Sequence, residues 1–287
     1  MAAVGSYLDA RMHGGRWLVR IEDVDAPRVV PDAADAILRT LEGFGFEWDG
    51  EVWRQSRRGE AYRDALAYLQ TAGHVYPCGC SRSEIAAVAS QKSIDGGLLY
   101  PGTCRAGLAV GRTARAWRLC VPDREWRFSD RVQGEIRQNL ARDTGDFILL
   151  RADGQFAYQL AVVVDDAAQG VNAVVRGADL IDSVARQIWL QQCLGLPAPS
   201  YAHLPVAVNA AGEKLSKQTH APEVDIAQGS RLLCKVCAFL GHPPPIDLYG
   251  APLADFWRWA ISVWSINRVP RRLKIPHHSC GGRDGLK

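Results

Sequence analysis

The chain has 287 residues, 47% apolar and 23% charged, and its 34 basic against 31 acidic side chains leave a net charge of +3. These are ordinary globular values, which exclude extensive disorder and allow one good core with a smaller appended module. No apolar run reaches spanning length and Met1 is followed by no signal pattern, so the sequence reads as soluble and cytoplasmic with no membrane partner.

The weak positive balance permits a nucleic-acid partner without demanding one. Eight cysteines without a secretory signal point to thiols or metal rather than a disulfide framework.

In chain order, Ala2 to Met12 predicts a helix ended by Gly14-Gly15, and Trp17 to Ile21 a short strand. That strand runs into Glu22-Asp23-Val24-Asp25. Asp23 and Asp25 fit the capping of a helix that starts near Pro31 or Asp32, a role that explains Glu22 less well. Helical spacing covers Asp32 to Leu41 and Arg58 to Thr71. Between them, Phe44 to Gly50 and Gln55-Ser56 carry aromatic and small residues suited to packing and capping.

Cys78-Gly79-Cys80 is followed by Tyr100-Pro101-Gly102-Thr103-Cys104. A Cys-x-Cys hairpin and a later third cysteine can bring three thiolates round a tetrahedral metal. Buried reduced thiols are the competing reading. The run Gln91 to Leu98 is polar and offers little core to bury them in, which favours the metal. From chemistry alone the fourth ligand stays open between Tyr100, Cys120 and a water.

Ala116 to Val121, Glu125 to Asp130 and Asp146 to Arg151 predict strands, and Asp153-Gly154 a hairpin turn into Phe156. The β-branched run Phe156 to Asp166 fits a strand. Val171 to Arg176 predicts another strand, Ile181 to Leu194 a helix, and Tyr201 to Val208 a strand that leads to the loop Lys214-Leu215-Ser216-Lys217-Gln218. Two ammonium groups at the carboxyl edge of a sheet suit a polyphosphate. Arg176, next to Gly177, and Tyr158 are candidates to grip an amino acid: a guanidinium offers a carboxylate two parallel hydrogen bonds and a phenol a third. Further on, Ile226 to Leu240 and Leu253 to Trp264 predict amphipathic helices. Cys234 and Cys237 belong to their core, with Trp257, Trp259 and Trp264 packing the helical end. The basic stretch from Arg268 reads as a frayed terminus.

Taken together, Arg20-Ile21-Glu22-Asp23-Val24-Asp25, Gly45 to Gly50 with Gln55-Ser56, Val174 to Leu180, His203-Leu204-Pro205 and the lysine loop resemble the class I aminoacyl-tRNA synthetases of the glutamyl and glutaminyl branch. Leu215 and Gln218 depart from the usual K-M-S-K-S of that family. The Cys78, Cys80, Tyr100, Cys104 set resembles the C-x-C…Y-x-x-x-C motif of its short glutamyl-queuosine tRNA(Asp) synthetases, as does the lack of an anticodon-binding domain.

The resemblance implies an α/β fold: a Rossmann-like class I catalytic core with an inserted zinc-binding subdomain and a helical C-terminal part. The divisions fall at residues 1–76, 77–145, 146–220 and 221–287. It implies Zn2+ on Cys78, Cys80, Tyr100 and Cys104, and L-glutamate held by Glu22 near its amino group with Tyr158 and Arg176. Lys214 and Lys217 act on the triphosphate, with Lys217 touching ATP and Mg2+ accompanying the nucleotide. The partner is tRNA(Asp) carrying queuosine, and the enzyme is a monomer. The resemblance also argues a helix from near Gln159, against the strand reading. The family's opening strand R-F-A-P-S-P-T-G and its H-x-G-H type signature are not found ahead of residues 1–8. Their absence predicts an interrupted parallel sheet and keeps two alternatives in play: a chemically inert tRNA-binding remnant, or a fragment of a glutamyl-tRNA synthetase.

Overall fold

A computed structural model describes residues 1–25, 27, 29–215 and 224–276. The chain opens with helix α1 (Ala2–Met12), which buries Val4, Tyr7 and Leu8. Gly5 lies so close to Leu204 that a β-carbon there would collide with it. Strand β1 is only Arg20–Ile21, although the extended chain before it also hydrogen-bonds along its partner, through Asp49 N to Trp17 O and Trp53 N to Val19 O. Helix α2 (Ala33–Gly43) follows, then β2 (Trp53–Arg54), parallel to β1, and helix α3 (Gly59–Thr71). Among the described residues the N-terminus of α2 receives no side-chain cap, and the two aspartates expected there have partners elsewhere. Asp23 accepts from the Ser56 N–H and hydroxyl, both at 2.8 Å, and Asp25 pairs with Arg151 at 2.9 Å.

Strand β3 (Val75–Cys78) leads to helix α4 (Arg82–Val88), whose N-terminus is closed by a capping box between Ser81 and Glu84. Strands β4 (Ala116–Leu119), β5 (Glu125–Asp130) and β6 (Gly134–Asn139), the short helix α5 (Leu140–Asp143) and strand β7 (Phe147–Leu150) complete the middle of the chain. A turn at Asp153-Gly154 then brings Phe156 back against Leu150.

The disputed run after Phe156 is a helix, α6 (Tyr158–Ala168). Four consecutive residues, Leu160 to Val163, are buried, which a strand with one solvated face cannot achieve, and this burial overrides the weak β preference of the valines. After it come β8 (Ala173–Gly177), a 3-10 turn (Ala178–Ser183), α7 (Val184–Leu194) and β9 (Ser200–Leu204). The long strand expected to Val208 is broken at Pro205, which has no N–H for a ladder. The chain resumes as β10 (Val206–Val208) in a different sheet. Helices α8 (Gly229–Phe239) and α9 (Leu253–Val263) and strand β11 (Lys274–Pro276) close the described chain. The basic stretch is therefore not frayed before residue 276: Val206 pairs with Lys274 and Val208 with Pro276 in a parallel ladder.

Among the described residues the strands form the sheets β1-β2, β10-β11, β3-β4-β7 and β6-β5-β9-β8. The two parallel pairs β1-β2 and β8-β9 are not hydrogen-bonded to each other. Strand β5, from the middle of the chain, joins β9 in parallel through Asp130 and Tyr201. Among the described residues no helix is long and apolar enough to cross a membrane.

One core lies between α1, α8 and α9, where the Tyr7 and Phe46 rings touch each other and both Trp17 and Trp257 at 4.8 to 5.4 Å. Cys234 and Cys237 are buried in it, as expected. A second core packs α3, α6 and α7 over β4, β5 and β7. Asp165, fully buried on α6, locks α6 to α3 by accepting from Tyr62 Oη (2.6 Å), Gln55 Nε2 (3.2 Å) and Arg58 Nε (3.1 Å). Arg58 also lies over the Trp53 ring. Asp165→Asn would face one of these donors with an amide NH2, so unfolding in denaturant is expected to show a loss of about 1–3 kcal/mol; an unchanged midpoint would mean the network is idle.

Candidate active site

Residues at the carboxyl ends of β1, β8 and β9 and on α6 are linked by ion pairs, hydrogen bonds and mutual charge into one group, the candidate active-site cleft. Arg20, the first residue of β1, donates through Nη1 to Gln169 (2.8 Å) and through Nη2 to Asp166 on α6 (2.7 Å) and to Glu22 (3.3 Å). The two carboxylates thus share one guanidinium. Glu22 stands at the rim, its side chain 41% exposed. Burial pushes the carboxyls of both Glu22 and Asp166 above their usual range, with Arg20 opposing. Helical spacing sets Tyr158 and Asp166 two turns apart on α6, roughly 12 Å along its axis.

Arg176, near the end of β8, is the centre of the opposite wall. Its Nη1 donates to Tyr158 Oη at 3.3 Å, and its Nη2 to Gln187 Oε1 on α7 at 2.9 Å and to the Leu180 carbonyl at 3.2 Å. Its Nε donates to His203 Nε2 at 3.0 Å, and the guanidinium lies 5.6 Å from the centre of the Tyr201 ring. Glu22 and Tyr158 both feel the Arg176 charge, so the three expected ligands of an amino acid do share one electrostatic environment. Burial raises the Tyr158 phenol above its usual value, which keeps it a neutral donor. Behind Arg176, His203 is fully buried against Asp130, Nδ1 to Oδ2 at 2.6 Å.

The lysine loop leaves β10 rather than the long strand expected. Asn209 to Glu213 makes a tight return, Gly212 taking φ +77 there, and Leu215 N donates to the Ala207 carbonyl. Lys214 then reaches Asp179, three residues past Arg176, at 2.6 Å. The hairpin base is thereby tied to the cleft. Lys217, the other expected lysine, lies outside the described residues.

The thiols of Cys78, Cys80 and Cys104 lie within 4.8 Å of one another. Tyr100 Oη is 3.4 Å from Cys78 Sγ and 3.6 Å from Cys80 Sγ, and Cys80 and Cys104 are 3.5 Å apart. A tetrahedral zinc with Zn–S bonds of about 2.3 Å separates its ligand atoms by roughly 3.8 Å. The three thiols therefore have the spacing and the softness to hold such an ion, with Cys78 and Cys104 buried and Cys80 partly covered. Tyr100 Oη, a harder oxygen, stands beside them as a candidate fourth donor. Cys120 packs on the edge of this group without joining it. Arg118 donates to Cys78 Sγ at 3.3 Å and lies over the Tyr100 ring, 3.8 Å from its centre, so a cation backs the negative donor set.

Residues 1–231 match the family of class I (E and Q) tRNA synthetases, catalytic domain. A glutamyl-Q tRNA(Asp) synthetase of Dechloromonas aromatica is 61% identical over 275 residues, 96% of this chain and 91% of that protein. The chain belongs to the glutamyl-Q tRNA(Asp) synthetase branch of the class I (E and Q) family. Another member of that branch, from Chromobacterium violaceum, is 59% identical over 93% of this chain and 89% of its own length. The glutamate-tRNA synthetase structure from Elizabethkingia anophelis shares the fold with a TM-score of 0.78 at 23% identity, covering 97% of this chain and 64% of that one. The chain thus spans less than two thirds of that larger synthetase.

Within this synthetase fold, several cleft residues escape the sequence reading. Arg20 stands two positions before Glu22, inside a motif read for its carboxylates. Asp166 is two helical turns beyond Tyr158, a relation visible only once α6 is known to be a helix. His203 reads in the sequence solely as part of the strand leading to the lysine loop, and nothing local marks Asp130 or Gln187.

Proposed function

We propose that the chain activates L-glutamate with ATP, in the absence of tRNA, and transfers the glutamyl group to queuosine in the anticodon loop of tRNA(Asp). One observation supports this most: Arg176 is hydrogen-bonded to Tyr158 and close enough to act on the Glu22 carboxyl, and the Lys214 hairpin is tied three residues further along the same strand end through Asp179. The complementarity of this group is that of a zwitterionic amino acid beside a polyphosphate. High identity to relatives bearing the glutamyl-Q tRNA(Asp) synthetase name adds the acceptor. These likenesses do not favour the inert remnant or the glutamyl-tRNA synthetase fragment.

In the first step a glutamate α-carboxylate oxygen attacks the α-phosphorus of ATP, and pyrophosphate leaves with its Mg2+. Arg176 and Tyr158 hold a glutamate carboxylate by charge-assisted hydrogen bonds. Glu22 meets the ammonium, with Asp166 behind it. Lys214 and Lys217 stabilise the charge that builds on the phosphates, and Lys217 contacts ATP. In the second step a queuosine hydroxyl oxygen attacks the acyl carbon, AMP departs and the hydroxyl proton is lost to solvent. Cys78, Cys80, Tyr100 and Cys104 would hold Zn2+ as a structural staple of the inserted subdomain. The division of the chain at residues 76, 145 and 220 is part of the same proposal.

Exchange of labelled pyrophosphate into ATP is expected with glutamate alone. Exchange that requires tRNA, or glutamyl transfer to the tRNA 3′ end in place of queuosine, would sink the reading.

A further inference from the structure

We propose that His203 is a positioning residue: with Asp130 behind it, it fixes the guanidinium of Arg176 in the plane from which that group meets a glutamate carboxylate. The inference rests on the glutamate reading of the cleft and deepens it.

The hydrogen bonds leave one arrangement of protons. Asp130 Oδ1 accepts from three backbone N–H groups, of Val132 (3.0 Å), Gln133 (2.8 Å) and His203 (3.1 Å), and Oδ2 faces His203 Nδ1 at 2.6 Å. Those contacts hold the Asp130 carboxyl below its usual range despite its burial. An ionised carboxylate only accepts, so Nδ1 carries the imidazole proton and Nε2 carries a lone pair. Arg176 Nε–H, which can only donate, points at that lone pair from 3.0 Å. A flipped tautomer would set N–H against N–H, and an imidazolium would set two cations in contact within a fully buried site. Burial depresses the proton affinity of His203, in the same direction.

Three sides of Arg176 are therefore held: Nε by His203, Nη2 by Gln187 and Leu180, and one face by Tyr201. Nη1, beside Tyr158, is the end left for substrate. A free arginine side chain spends several rotamers' worth of entropy on ordering, and a guanidinium ordered in advance spares the ligand that cost. With its lone pair committed to Arg176 and its ring at zero exposure, His203 has no path to a reacting atom. Its action passes through Arg176.

Two substitutions separate this role from simple core filling. In His203→Gln the side-chain carbonyl oxygen can take the place of Nε2 and keep an acceptor for Arg176. In His203→Asn the amide nitrogen can take the place of Nδ1 and keep the bond to Asp130, while the acceptor is lost. In glutamate-dependent pyrophosphate exchange, His203→Asn is expected to raise the KM for glutamate by about tenfold to a hundredfold with the KM for ATP within about twofold. His203→Gln is expected to recover most of that loss. Equal damage in both variants, an unchanged glutamate KM in His203→Asn, or parallel shifts in both substrates would overturn the proposal.

A second measurement needs neither variants nor catalysis. Long-range proton–nitrogen correlation on the wild-type histidine ring is expected to show Nδ1 protonated and Nε2 bare at neutral pH, and the opposite tautomer or a doubly protonated ring would overturn the proposal even if the variants fail to fold. Wild-type protein that shows the expected tautomer but no glutamate-dependent exchange would retire the functional reading and leave the hydrogen-bonded relay standing.

Discussion

Replacement of Arg176 by alanine is expected to lower kcat/KM for glutamate by about 30-fold to several thousand-fold, the equivalent of the 2–5 kcal/mol lost when a buried, hydrogen-bonded charge is truncated. Most of the loss should appear in the glutamate KM, because the contact is made in the bound ground state as well as later. The substitution also strips donors from His203 Nε2, Gln187 Oε1 and the Leu180 carbonyl. Arg176→Lys keeps the charge but loses the planar fork, and its activity should fall between wild type and Arg176→Ala. Steady-state exchange kinetics over a glutamate series, with circular dichroism to verify folding, checks both variants. A glutamate KM left within threefold in Arg176→Ala would remove this arginine from the binding site.

The second large effect concerns the cysteine group. The part of the chain around it has a very small core of its own: Tyr76, Cys78, Tyr100 and Cys104 are buried together, with Cys80, Ile85, Leu108 and Cys120 partly covered. Such a unit would depend on the proposed Zn2+, since structural zinc contributes about 10–16 kcal/mol of apparent binding energy in small zinc modules. Cys104→Ser is therefore expected to drop zinc content from near one per chain to near zero by atomic emission. Amide exchange should speed up around residues 79–112, while α6, β8 and β9 retain their protection. Tyr100→Phe removes only the oxygen corner and should weaken zinc retention against a chelator without abolishing it. Full zinc content in Cys104→Ser would show that the ion, if bound, sits elsewhere.

How far these sites could be read from the linear chain depends on the range of the contacts that make them. Arg176 stands out because a glycine follows it at a strand end, and the cysteines because their spacing is local. Tyr158 stands out even though its segment is ambiguous between strand and helix: the valines of α6 carry a β preference that only burial from several sides overrules. His203 could not be given a role in advance, because that role comes from Asp130, 73 positions away, and from a guanidinium on the neighbouring strand. Pro205 does signal a break, yet nothing near it shows that β10 will pair with β11 instead of continuing beside β8. The same long-range pairing gives the basic stretch before residue 276 a place in a sheet. Asp23 and Asp25 looked like helix caps because aspartates before a helix often are, but Ser56 and Arg151 are better partners brought in by the fold.

Among the described residues, the guanidiniums of Arg20 and Arg176 and the carboxylates of Glu22 and Asp166 balance one another, beside the Lys214–Asp179 pair. A balanced quartet casts little field past the screening distance of about 8 Å at physiological ionic strength, so it neither draws in nor turns away small ions on approach. Discrimination among amino acids is deferred to the moment of contact, where each charged end of the visitor must find its opposite in place.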